Sequence, residues 1–182
     1  MGSGARANPW TPARGLALAM LLACAPAAMA AQPGFAFGWD PRTGDAVLDA
    51  RLADINRYGD RYRAAFVDEL VRYHAAPRAL VTALLADEQW APGDLYFACA
   101  LAQAAGRPCR HAIAAWRDGH ATGWGAVAAR LDMAAGTPGF QRIADGVEAS
   151  YRRWGRPLPG VDVAAQQAAA GQPQEDGAGD ER

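Results

Sequence analysis

Thr137-Pro-Gly-Phe140-Gln-Arg-Ile143-Ala-Asp-Gly-Val147-Glu-Ala-Ser-Tyr151-Arg-Arg-Trp154 decides the fold class. Its large apolar residues recur at steps of 3, 4, 4 and 3, which is the stripe of a 3.6-residue helix and not the alternation of a strand. Thr137 suits the N-cap and Pro138 the first helical position, because one contributes an acceptor oxygen and the other lacks an N–H that would go unpaired. Gly155 and Pro157 end the segment. Working outward, Leu48, Leu52, Ile55, Tyr62, Phe66, Leu70 and Tyr73 continue the same period, with Gly59-Asp60 as its interruption. Pro77 opens a segment that turns Leu80, Val81, Leu84 and Leu85 inward. Trp90-Ala-Pro-Gly-Asp94 reads as a turn in which Asp94 caps a helix lined by Leu95, Ala98, Cys99 and Ala102 and stopped at Gly106. Pro108 starts a helix bearing Cys109, Ile113 and Trp116, and Trp124, Val127, Ala128 and Leu131 make another. Strand-like alternation and hairpin turns are missing. The expected fold is all-α, a compact bundle of six to seven short helices over residues 44–157, preceded by an irregular lead-in over 31–43.

The 182 residues are 51% hydrophobic, much of it alanine, and mean hydropathy is -0.14, which is not the profile of a polytopic membrane protein. All 18 basic residues are arginine, and the net charge of -1 leaves no polycationic surface for nucleic acid. Residues 1–30 read as an export signal. Arg6 and Arg14 precede an uncharged run from Leu16 to Ala25, Pro26 breaks it, and Ala28-Met29-Ala30 is a small-x-small site for cleavage between Ala30 and Ala31. Leu21-Leu22-Ala23-Cys24 also resembles a lipobox, so a lipid anchor on Cys24 is the alternative to a freely exported protein. At the other end, residues 158–182 carry Asp162, Glu175, Asp176, Asp180 and Glu181 against Arg182, with no aromatic residue. Such a tail buries too little apolar area to offset its ordering entropy and is expected to be disordered.

Cleavage would leave two cysteines, Cys99 and Cys109. In an oxidising compartment their nine-residue spacing makes them a disulfide candidate, the alternative being two buried free thiols. His74, His111, His120 and Cys109 lack the paired short spacings of zinc or copper ligands, so neither a metal nor another cofactor is expected. Serine catalysis has little material, since Ser150 is the sole serine after cleavage. Glu69, Asp87 and Glu88 sit on amphipathic helices, where isolated acids face solvent. Glu69 beside exposed aromatics is the one route to an enzyme, acting on cell-wall glycan. Gly123-Trp-Gly through Thr137 has the outline of a helix-turn-helix, yet its second helix opens on Pro138-Gly139 and offers only Gln141 and Arg142 to base edges; a basic face would have to come from Arg142, Arg152 and Arg153. Its role is read as packing.

Trp90-Ala-Pro-Gly-Asp94, Ala98-Cys99, Gly106-Arg-Pro-Cys109 and Gly123-Trp-Gly125 together resemble a family of small exported bacterial α-helical proteins of unknown function. The resemblance covers about residues 48–156. After the Gly-Trp-Gly run this chain carries Ala135-Gly-Thr-Pro-Gly-Phe140-Gln-Arg142 where that family has Pro, His and Lys positions. The resemblance implies export and a helical fold and supplies no reaction. The functional expectation is a periplasmic, non-enzymatic helical module whose partner is another envelope component, without nucleic acid and without a membrane span after processing.

Overall fold

The computed structural model describes residues 34–159; the expected export signal with Cys24, Ala30 and Ala31 and the tail from 160 onward lie outside them. The described residues are all-α. The helices are α1 (Ala46–Arg61), α2 (Arg63–Tyr73), α3 (Arg78–Ala86), α4 (Pro92–Ala104), α5 (Cys109–Gly119), α6 (Gly123–Ala129) and α7 (Pro138–Arg153), with a 3-10 turn at His120–Thr122 between α5 and α6. Asp45 caps α1 by accepting from Leu48 N, and Thr137 caps α7 by accepting from Phe140 N, each satisfying an N–H that the helix leaves free.

α4 is the centre. It packs against α1, α3, α5 and α7, and every residue from Pro92 to Ala102 is buried. A helix surrounded on all sides must be apolar on all sides. This is why its sequence reads Leu-Tyr-Phe-Ala-Cys-Ala-Leu-Ala, broader than the single inward face expected from Leu95, Ala98, Cys99 and Ala102. Close approach to α1 depends on Gly59, where a Cβ would fall 2.4 Å from the Pro92 Cβ. Gly59 therefore lies inside α1 and does not interrupt it. The break comes at Tyr62, whose φ of -122° and ψ of 51° leave the helical region. The turn rotates the stripe, so Tyr62 and Tyr73 end up exposed, while Leu48, Leu52, Ile55, Phe66 and Leu70 enter the core.

Trp90, Trp116, Trp124, Tyr96 and Tyr151 are all buried. Trp116 and Trp124 stack face to face at 4.0 Å, and Phe37 of the lead-in closes edge-on over Trp90 at 5.2 Å. Among the described residues, iodide quenching should therefore touch only the half-buried Trp39 and Trp154. Full quenching, with helical circular dichroism retained, would place the indoles outside and overturn this packing.

The Gly-Trp-Gly run acts as a clasp. Trp124 N and Gly125 N donate to Pro41 O and Arg42 O, both at 2.8 Å, binding the lead-in to the start of α6. Gly123 has φ +80°, and a Cβ there would lie 2.8 Å from Arg42 Cβ; one on Gly125 would lie 3.0 Å from Arg42 O. Glycine is favoured at 123 by the positive φ and the Arg42 side chain, and at 125 by the lead-in backbone of Arg42 and Thr43. Cys99 on α4 and Cys109 on α5 form a disulfide. By the chain-entropy account, a loop of this length stabilises by about 2–3 kcal/mol.

Candidate functional site

Two clusters of polar side chains lie inside the bundle. The first joins α2, α4 and α7. Glu69, expected to face solvent, is only 4% exposed. Ser150 Oγ donates to Glu69 Oε1 at 2.6 Å, and Arg153 closes over the same carboxylate through Nε and Nη2. A serine hydroxyl has one proton; with that proton on Glu69, the Tyr96 hydroxyl at 2.7 Å is the donor to Ser150 Oγ. Burial pushes the Tyr96 phenol well above its ordinary range, which keeps it a donor. Hydrogen bonding to Glu69 raises the Arg153 guanidinium in turn, and that group also lies 3.8 Å from the Tyr73 ring centre. Ser150 is fully buried and Glu69 is covered by a guanidinium, so the carboxylate presents no open oxygen to a glycosidic bond. The geometry is that of a satisfied structural network.

The second cluster is Asp94 with Trp124. Asp94 does not cap α4; Ala91 holds the cap position, and Asp94 sits in the first turn, 2% exposed, accepting from Trp124 Nε1 at 2.7 Å. No arginine forms an ion pair with it among the described residues. Desolvation pushes its carboxyl up to about 7, against the smaller opposing effect of the indole bond. His74 is also buried, and desolvation lowers it to about 4, leaving a neutral ring edge-on to Tyr96 at 4.8 Å.

An open cleft lies where the C-terminal ends of α1 and α7 meet the start of α2. It has a volume of ≈ 540 Å³ and is lined by Arg57, Tyr58, Arg61, Tyr62, Ala65, Trp154 and Arg156. Tyr58 stacks on Trp154 at 4.1 Å and forms the floor. Tyr62, tilted against Tyr58 at 5.2 Å, is 47% exposed and forms a wall. Three guanidiniums surround these rings. Arg57 and Arg156 share Asp54, with contacts of 2.8 Å and 3.0 Å, while the Arg61 guanidinium lies 5.4 Å from the Tyr62 ring centre and is in no ion pair among the described residues. Asp54 is itself fixed by the Tyr151 hydroxyl at 2.8 Å. Three cations against one carboxylate leave the cleft electropositive. Arg61, in the last turn of α1, also complements the negative end of that helix, which accounts for part of its placement. Nothing local in Tyr58-Gly-Asp-Arg-Tyr-Arg63 marks a cleft, because Trp154 and Arg156 return to it from the far end of the domain.

The other candidate residues are scattered. Cys109 is held in the disulfide, His111 is exposed, and His120 packs against Phe37 at 4.7 Å. Among the described residues no three His, Cys, Asp or Glu side chains converge as metal ligands, and no helix is long and apolar enough to cross a membrane. Of the arginines named for a DNA-binding face, Arg153 turns to Glu69 and Arg142 bonds the Ala104 and Pro138 carbonyls. Asp68 and Glu148 each have an arginine four residues on, Arg72 and Arg152, yet pair with the more distant Arg78 and Arg51. Asp87 and Glu88 lie just past the end of α3 and not on a helix, and Glu88 pairs with Arg117 of α5. Comparison of the chain with protein-family models, curated proteins and solved structures finds no match.

Proposed function

We propose that the chain is an exported, periplasmic helical module that works by binding another envelope component and not by catalysis. The observation that carries this reading is the pairing of the two cysteines left after cleavage, a link favoured in an oxidising compartment and rare in a reducing one. The resemblance to small exported helical proteins supports the same address. The binding part rests on the basic, aromatic cleft, which is open to solvent while Glu69 is closed over by Arg153. The experiment is expression of the full chain in a Gram-negative host, followed by fractionation, N-terminal sequencing and thiol titration of the denatured, unreduced product. The expected result is periplasmic protein beginning at Ala31 with no titratable thiol. Uncleaved cytosolic protein with reactive Cys99 and Cys109 would refute the reading, and a product starting at a lipidated Cys24 would replace free export by anchoring. Photo-crosslinking from position 62 then tests for a partner in the envelope.

A further inference from the structure

We propose that the cleft between α1, α2 and α7 takes a ring compound bearing an anionic group, a carboxylated or phosphorylated sugar, with the anion on Arg61 and Arg57 and the ring against Tyr62. The proposal rests on the binding-module reading and names the ligand class for that same site.

Four observations converge on it. The volume, ≈ 540 Å³, lies in the range of small-molecule sites and accommodates a compound of one or two rings. The cations are all arginine, whose planar fork pairs carboxylate and phosphate oxygens two at a time. They are not equally free. Asp54 engages Arg57 and Arg156, whereas Arg61 has no carboxylate within ion-pair distance among the described residues, so it is the available anion donor. Arg57 is anchored at one nitrogen by Asp54 with its side chain still 70% exposed, which leaves other N–H groups for a second oxygen.

The rings complete the chemistry. Tyr62 stands out of the core because the α1–α2 break rotates it outward, and it is one of very few large hydrophobic side chains more than a third exposed. Its ring can cover the apolar face of a sugar while its hydroxyl remains in water. Tyr58 and Trp154, stacked at 4.1 Å, make a rigid floor that needs no rearrangement on binding. Arg156, 5.2 Å from the Tyr58 ring centre and tied to Asp54, fixes the far end of the cleft. A purely structural role would explain arginines at helix ends; it does not explain an exposed tyrosine beside an unpaired guanidinium over a preformed aromatic floor.

The test is calorimetric titration of the mature protein with glucose 6-phosphate, glucuronate, glucose and inorganic phosphate, repeated on Arg61→Ala and Tyr62→Ala. Both positions are exposed, and circular dichroism should confirm that both variants fold. Either charged sugar should bind at least tenfold more tightly than glucose. Arg61→Ala should weaken it about tenfold, and Tyr62→Ala should weaken the charged sugar more than it weakens inorganic phosphate. The tighter of the two charged sugars identifies phosphate or carboxylate as the recognised group. Failure of both charged sugars to bind in the millimolar range, or binding indifferent to both substitutions, overturns the proposal. A crosslinked envelope partner obtained alongside that failure would leave the binding-module reading standing and discard only the ligand class.

Discussion

Replacing Arg153 with methionine is expected to destabilise the protein by about 2–3 kcal/mol, below the ~3–5 kcal/mol cost of breaking a fully buried ion pair because the Arg153 side chain is 29% exposed. The cost comes from what remains. Glu69 is 4% exposed, and without the guanidinium its carboxylate would keep only Ser150 as a donor. Methionine keeps the length of the aliphatic stem but gives up the guanidinium's place 3.8 Å from the Tyr73 ring centre, so the loss includes that cation–π contact as well as the ion pair. The double variant Glu69→Gln with Arg153→Met should recover much of the loss, because a neutral amide oxygen can still accept from Ser150 and no buried charge is stranded. Urea denaturation at pH 7 measures both. A loss below about 1 kcal/mol for the single variant would mean that the pair behaves as an exposed one.

Asp94→Asn should remove a slope from the pH dependence of stability. The Asp94 carboxyl is raised from 3.8 in the unfolded chain to about 7 in the folded one. Between those values the native state holds more protons than the unfolded state, so stability from this group falls as pH rises from about 4 to about 7 and is level above that. Asparagine keeps an oxygen for Trp124 Nε1 and cannot ionise. The variant should therefore gain on the wild type across this window, by a few kcal/mol at pH 8. His74 gives the opposite slope. Folding lowers it from 6.5 to about 4, so its contribution is lost as pH falls through that interval. The difference between variant and wild type cancels the histidine and isolates Asp94. Parallel stability curves from pH 4 to 8 would show that Asp94 is not desolvated as its burial implies.

Both predictions concern residues whose position was visible in the sequence but whose surroundings were not. Glu69 was recognisable as a helix-borne acid and was expected outside, because an isolated acid on an amphipathic helix normally is. Its partners Ser150 and Arg153 stand 81 and 84 residues away. Asp94 reads as a cap because aspartate suits the start of a helix, and its burial depends on an indole 30 residues on. The cleft was hidden for the same reason: its aromatic floor joins Tyr58 to Trp154 from opposite ends of the domain. The stripe through Tyr62 and Tyr73 misled because a period continues in sequence across a backbone break that rotates it in space.

What the sequence determined by itself is the local structure and its limits. The 3-and-4 spacing, the Thr137-Pro138 opening, the prolines before helices and the glycines after them all act within one or two turns, where the chain's own stereochemistry decides the outcome. The spacing of Cys99 and Cys109 made them a disulfide candidate, and the packing of α5 on α4 closes the pair. Only the tertiary structure decided which helix became the centre, why tryptophan stands between two glycines, which acids are buried, and which arginine was left free beside an exposed tyrosine. Those outcomes depend on the approach of distant surfaces, where the desolvation of a charge and the bond that offsets it come from different parts of the chain.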